Sequence, residues 1–551
     1  MDGVPSLSAE ITARMVAVTG ADPELRPATK TQFGHYQSNI ALRLAKKTGR
    51  PPREVAAEIV NALNAAGFDD LAEPIEVAGP GFLNIRLRAT VLARAVSAVI
   101  ADPQIGLSIR DMPQTVVVDY SGPNVAKQMH VGHLRSTIIG DCLARVLEAV
   151  GNNVIRRNHI GDWGRQFGML IEQILDEGLD LDTLDLSGAE ELYQRANAHL
   201  NADAEFAERA RSRVVALQSK DSCTIAIWER LIEVSLTGFD ASYARMNVLL
   251  TRDDVAGESS YNSLLAPVCA DLETRGIAVQ DQGALVVFVP GFEAPAILRN
   301  SAGGYGYDIT DVAAIRQRVE ELHADRLIYL TDARQADHFH KVFAVAQLAG
   351  YLPERVSAEF VGFGMVLGLD GKPFRTRDGN TVHLSELLDE AEQLAAPEVA
   401  LAAIKYADLS NGLQKDYVFD PERMVTTTGD TGPYLQYAHA RVCQILKRAA
   451  AEDMAIGTNV TVLSEVAEIE LALALTRFSD VVDEVALALT PHKLCTYLFE
   501  LASKLSNFYE QCPVLKSVDA LRSSRLALCD ATRRVLARGL NLLGIAAVER
   551  M

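Results

Sequence analysis

The stretch 116–141, V-V-V-D-Y-S-G-P-N-V-A-K-Q-M-H-V-G-H-L-R-S-T-I-I-G-D, constrains the fold more than any other part of this chain. Its β-branched opening predicts a buried strand and the Ser-Gly-Pro-Asn run a loop. The apolar spacing from Val131 predicts a helix reaching about residue 150, with Gly151 as its stop. His130 and His133 fall at that helix start, where free N–H groups and the positive end of the peptide dipoles bind phosphate. Both imidazoles can donate there to ATP phosphates as charge builds during attack on the α-phosphorus, and Gly132 leaves bare backbone for the adenine. Two histidines at a helix start can also be simple caps. The strand and loop ahead of them favour the nucleotide.

A second unit of the same kind follows, with a strand over 154–158, a Gly-Asp-Trp-Gly loop and a helix from about 165 to 176. Repetition of strand, loop and helix is the doubly wound pattern. The runs at 285–289, at 326–330 and before Gly364 read as further strands of this core. Residues 1–110 read as a small α+β domain, with helical spacing over 38–47, Pro51-Pro52 at a helix start, and two strands around a Gly-Pro turn in 75–87. From about residue 395 only helical periods appear, including 435–448, 471–489, 494–511 and 524–543. The expected fold class is α/β. A Rossmann-like catalytic domain over 111–395, with a helical insertion at about 178–250, sits between the N-terminal α+β domain and a C-terminal all-α helical bundle over 396–551.

A net charge of −19 argues against a polyanionic partner until its distribution is considered. Residues 171–210 carry eleven acidic and two basic side chains. Residues 30–53 hold six basic side chains and no acid, and 516–551 hold seven basic against three acidic. Screening confines each field to about 8–10 Å, so phosphate contact follows the local sign. No apolar run approaches the roughly 18 residues of a membrane span, and no signal-peptide pattern opens the chain. The seven cysteines are scattered and never spaced C-x-x-C, which predicts reduced thiols, no metal site and a cytoplasmic location.

The segment P-N-V-A-K-Q-M-H-V-G-H-L-R-S-T resembles the signature of arginyl-tRNA synthetases, a class I aminoacyl-tRNA synthetase family. G-P-G-F-L-N-I near residue 80, G-D-W-G-R-Q-F-G (161–168), Y-D-I-T-D (307–311), D-A-R-Q-A-D-H-F (332–339), F-G-M-V-L-G (363–368), G-P-Y-L-Q-Y-A-H-A-R (432–441) and the closing V-E-R-M follow in the family's order. The resemblance implies an ATP-dependent ligase that joins L-arginine to tRNA(Arg) through an arginyl-adenylate, with Mg²⁺ accompanying ATP. It further implies a first step that waits for bound tRNA, and a monomer with neither DNA nor membrane as partner.

A guanidinium is a planar, permanently charged fork that carboxylates satisfy bidentately. Asp119 ends the first core strand, where open α/β sheets bind ligands, and Asp311 opens a helix. Taken alone, a carboxylate serves a substrate ammonium equally, so lysine or glutamine stays open. The resemblance assigns Asp119, Asn124, Tyr307, Asp311 and Gln335 to the amino acid, and His130, Gly132 and His133 to ATP. The family's second motif, K-M-S-K-S, is here G-K-P-F-R-T-R, with Lys372 in place and Arg375 at the second lysine. Lys127, three residues before His130, is the position thought to compensate in such members. The N-terminal domain would meet the tRNA elbow through Phe82 and Asn84. The helical domain would take the anticodon near Tyr434, Tyr437, His439 and Arg441, with Arg533, Arg534 and Arg538 on phosphate. Two other readings compete: a small-molecule adenylyltransferase, which would not need both terminal domains, and a non-catalytic tRNA-binding descendant, which should have lost H-x-G-H.

Overall fold

The computed structural model describes residues 6–28, 30–374 and 382–551, and Arg375 lies outside the described residues. The chain divides into two compact units. One comprises Arg110–Thr426 with Leu543–Ile545, and the other the residues up to Ile109 with Thr427–Leu542 and Ala546–Met551.

The first unit is built on four parallel strands, β1 (Thr115–Asp119), β2 (Asn153–Arg157), β3 (Arg326–Asp332) and β4 (Ser357–Phe363), in the order β4-β3-β1-β2. Val116, Val117 and Val118 are wholly buried, as a strand covered on both faces requires. The chain leaves β1 for β2 on one side and returns to β3 on the other. The crevice beyond the carboxyl ends of β1 and β3 is therefore the switch point at which such sheets hold ligands. Helix α1 (Val131–Ala149) follows β1 and α2 (Arg165–Glu177) follows β2. The insertion consists of α3 (Leu186–Ala202), α4 (Ala204–Gln218) and α5 (Ser222–Arg245), and its apolar faces share one core with α2. Helices α6 (Tyr307–Glu320) and α7 (Ala336–Leu348) flank β3, and α8 (Pro397–Leu409) packs against α1. This unit therefore continues past residue 395 to Thr426.

One strand expected in the core lies elsewhere. Ala284–Val287 pairs antiparallel with Val279–Asp281 and Ala296–Arg299 in a separate three-stranded sheet. Gln282 and Gly283 both have positive φ, 48° and 82°, and that two-residue turn folds the strand back on its neighbour instead of sending it into the parallel sheet.

In the second unit, Arg26–Pro27, Tyr36–Ser38, Phe82–Ile85 and Glu76–Ala78 form an antiparallel sheet in that order, accompanied by helices Ile40–Thr48 and Pro52–Ala65. Helix Ala89–Ala101 packs on Val466–Thr476 of the C-terminal bundle. The helical run expected over 471–489 is two helices, Val466–Thr476 and Phe478–Ala488. The Ala474 carbonyl accepts from the Tyr497 hydroxyl at 3.0 Å and from Arg477 N at 3.1 Å, which diverts it from the ordinary helical bond.

Candidate active site

The helix start carries both histidines in defined protonation states. His130 is the N-cap of α1, and its Nδ1 accepts from Gly132 N at 3.0 Å. His133 Nδ1 accepts from His130 N at 3.1 Å. With Nδ1 an acceptor in each ring, the proton of each neutral imidazole sits on Nε2. Burial, then the charges of His130 and Lys127, push His133 down to about 3, and burial lowers His130 as well. Both rings are neutral near pH 7 and present Nε2–H donors. A Cβ on Gly132 would stand 2.7 Å from His130 Cε1, so a side chain there would displace that ring. Backbone from beyond the second motif joins the same strip, because Val131 N donates to Val382 O at 3.0 Å and Leu384 N to Met129 O at 2.9 Å. Lys372 stands exposed in a turn closed by Gly368 N on its carbonyl at 2.8 Å.

The loop between β1 and α1 packs against the Gly-Asp-Trp-Gly segment. Asn124 and Gly161 form a parallel bridge, and a Cβ on Gly161 would strike Asn124 Oδ1. A side chain at 161 would therefore push the Asn124 amide out of its place. Lys127 is half-buried, with its ammonium 4.2 Å from the Tyr193 ring centroid.

At the switch point, carboxylates outnumber cations. Asp119 Oδ2 accepts from Arg318 Nη2 at 2.6 Å, and Arg318 is 1% exposed and stacked over Tyr329. Asp119 thus already holds a guanidinium, one supplied by the protein. Asp311 Oδ2 lies 2.7 Å from His338 Nε2, and His338 Nδ1 lies 3.0 Å from Asp308 Oδ1. Burial lowers His338, but both carboxylates outweigh it and raise it to about 9, so the ring is an imidazolium. Burial raises Asp162, which accepts from Ser259 N at 2.8 Å and Ser259 Oγ at 2.6 Å. Burial, then Asp162 and Asp311, pushes Glu258 up to about 7. Among the described residues Glu258 has no cationic partner. The Tyr329 hydroxyl is pushed up by burial and, after Arg318, feels the charges of both Asp119 and Asp311, which brackets these acids around one buried ring.

The other expected arginine contacts lie at the edge. Tyr307 is 74% exposed at the first turn of α6, and Gln335 is exposed at the start of α7. Glu258, His338 and Arg318 were not singled out from the sequence. Only His338 had a signal, as the one histidine within D-A-R-Q-A-D-H-F.

Several residues expected on RNA are otherwise engaged. Asn84 is 4% exposed and accepts from Gln37 Nε2 at 2.8 Å, whereas Phe82 is half-buried. His439 is 3% exposed, its Nδ1 lies 2.8 Å from Val548 O, and burial lowers its pKa. Arg534 donates to Ile100 O and Asp102 O, both at 2.6 Å, and Arg533 pairs with Asp530 at 2.7 Å. Arg538 donates weakly to Asn541 Oδ1 at 3.4 Å. Tyr434 is half-buried beside Phe499. Tyr437 is exposed, and Arg441 lies 4.2 Å from the ring centroid of Tyr509, itself 37% exposed. That pair gives the bundle a cationic, aromatic surface.

Comparison with known proteins agrees with this geometry. Residues 96–399 match the class I (R) tRNA synthetase catalytic domain, 435–551 the DALR anticodon binding domain, and 6–87 the arginyl tRNA synthetase N terminal domain. The chain is 61% identical to an arginine--tRNA ligase of Cutibacterium acnes, over 99% of this chain and 100% of that protein. It is 47% identical to one from Frankia casuarinae, over 99% and 97%. The arginyl-tRNA synthetase of Plasmodium falciparum superposes with a TM-score of 0.86 at 28% identity, covering 100% of both chains. That of Thermus thermophilus gives 0.82 at 27% identity, over 99% and 100%. Strand order, signature helix and three matched domains together place this chain in the arginyl-tRNA synthetase family of class I aminoacyl-tRNA synthetases.

Proposed function

We propose that this chain attaches L-arginine to tRNA(Arg) at the expense of ATP, releasing AMP and pyrophosphate. In the first step the arginine carboxylate attacks the α-phosphorus and the bond to pyrophosphate breaks. The Nε2–H groups of His130 and His133 and the Lys127 ammonium stabilise the charge on the phosphate oxygens. Mg²⁺, if bound with the triphosphate, would neutralise part of its charge, while His130, His133 and Lys127 hold the phosphate oxygens. In the second step a ribose hydroxyl at the tRNA 3′ end attacks the mixed anhydride, and AMP departs.

Two observations carry the reading: a half-buried Glu258 carboxyl that feels the charges of Asp162 and Asp311 without a cationic partner among the described residues, and paired neutral imidazoles at the helix start that follows β1. A substrate guanidinium relieves that repulsion, and a neutral side chain does not. Acids left unsatisfied by smaller or uncharged amino acids give discrimination without hydrolytic proofreading. Asn124, Tyr307 and Gln335 complete the amino-acid site at its rim, and Lys372 and Arg375 belong to the ATP-side loop. Phe82 marks the elbow contact, and Tyr437, Arg441 and Tyr509 the anticodon contact. We assign residues 1–110 to the elbow, 111–426 to catalysis and 427–551 to the anticodon, in a cytoplasmic monomer, with the boundary expected at 395 moved to the end of the first unit. Among the described residues no helix is long and apolar enough to cross a membrane.

Charging of total tRNA with each labelled amino acid tests this reading. Acid-precipitable label from arginine alone supports it, and label from another amino acid, or from none, contradicts it.

A further inference from the structure

The signature loop is held in a costly conformation. Ser121 and Ala126 have φ of 74° and 60°, although neither is glycine. Side chains of L-residues disfavour that left-handed region, so each position needs an external tie.

For these two residues the ties from outside the nucleotide fold come from one helix of the insertion. Ala126 N donates to Ser235 Oγ at 2.9 Å, and Ser121 Oγ lies 2.8 Å from the Tyr243 hydroxyl, both partners being on α5. The Tyr243 hydroxyl also accepts from Asn158 Nδ2 at 3.0 Å, while Asn158 Oδ1 accepts from Gly122 N at 3.0 Å. Ser235 and Tyr243 are 0% and 3% exposed, so water does not compete for these bonds. The next two loop residues are held by α3, Lys127 over the Tyr193 ring and Gln128 by its Nε2 on Glu190 at 3.0 Å.

We infer that the helical insertion is a clamp on the signature loop, and that Ser235 and Tyr243 are positioning residues setting where Lys127 and His130 meet the triphosphate. The inference rests on the activation chemistry proposed above. Loss of a tie lets the loop relax to negative φ. The carboxylates of the arginine pocket and the RNA-facing surfaces lie outside this loop and are left intact, and the population of the productive loop falls.

The test is arginine-dependent ATP–pyrophosphate exchange with tRNA present, on the full chain carrying Ser235→Ala, Tyr243→Phe, or Ser235→Ala with Ala126→Gly. Each single variant should lower kcat about tenfold or more, with tRNA affinity and thermal midpoint close to wild type. Glycine at 126 adopts the required φ without the left-handed penalty, so the double variant should recover about fivefold over Ser235→Ala. Unchanged kcat in both single variants would overturn the clamp, as would a loss that tracks thermal stability and is not rescued. If wild type shows no arginine-dependent exchange, the activation reading itself falls, which separates the two failures.

Discussion

His338 bridges two carboxylates from one face of α6, with Nε2 2.7 Å from Asp311 Oδ2 and Nδ1 3.0 Å from Asp308 Oδ1. The spacing of those acids, three apart on a helix, aims both at one ring. Their charge prevails over burial and raises the imidazole from 6.5 to about 9. A folded-state pKa above the ordinary one means the contribution to stability is complete below about pH 6.5 and is lost as pH rises through about 9. Urea unfolding of wild type should therefore lose on the order of 1–3 kcal/mol more than His338→Gln between pH 6.5 and 10. Parallel profiles for the two proteins would show that the bridge contributes nothing.

Asp119 and Asp311 should separate under substitution. Asp311→Asn should raise the arginine KM about 10- to 100-fold, the weight of a charged hydrogen bond, and leave the ATP KM within about threefold. Asp119→Asn strips the counter-charge from buried Arg318 and should cost about 3–5 kcal/mol in chemical unfolding. A fully stable Asp119→Asn protein with an impaired arginine response would return Asp119 to direct substrate contact.

Glu258 predicts a pH dependence of binding. Burial and its acidic neighbours hold it at about 7 in the free protein, and a bound cation favours its ionised form. Arginine affinity should fall as pH drops below 7, with about half a proton released on binding at pH 7 and more below it. In Glu258→Gln the affinity should be weaker and flat with pH. Calorimetry in buffers of different ionisation enthalpy reads the proton count, and a count of zero in wild type near pH 6.5 would remove Glu258 from the pocket.

Gly132 offers a test of imidazole placement apart from imidazole chemistry. In Gly132→Ala the new Cβ meets His130 Cε1 at 2.7 Å and Nδ1 at 2.9 Å. Single-turnover adenylate formation should drop at least about tenfold, while stability changes by no more than about 1 kcal/mol, since the lost His130 cap offsets the better helix propensity of alanine. An unaltered rate would mean that the position of His130 is immaterial.

The sequence exposed those parts of the molecule that rest on local pattern. The 116–118 strand, the His130 helix start and the bare backbone at Gly132 follow from periodicity, capping and side-chain absence, all written within a few residues. Three kinds of fact were hidden. Non-glycine residues at positive φ, Ser121 and Ala126, carry no compositional mark, because their ties come from residues about 110 to 120 positions away. Internal counter-ions such as Arg318 and His338 look like any surface basic residue until the fold brings them to Asp119 and Asp311. Side chains assigned to RNA by resemblance, Asn84, His439 and Arg534, face inward onto Gln37, Val548 and the end of helix Ala89–Ala101. Residue type alone does not reveal which way a polar group points. The 285–289 run shows a related limit: an apolar strand has the same composition in a parallel core as in an antiparallel hairpin, and the Gln282-Gly283 turn decided between them.

The central claim is that acids at the switch point select a cation for activation by two neutral imidazoles. ATP–pyrophosphate exchange with tRNA present, comparing arginine with citrulline, its uncharged isostere, tests that claim most directly. Exchange with arginine, and a kcat/KM lower by about 10³ or more for citrulline, is the predicted result. Comparable exchange with both, or exchange driven by a neutral amino acid in place of arginine, would contradict it.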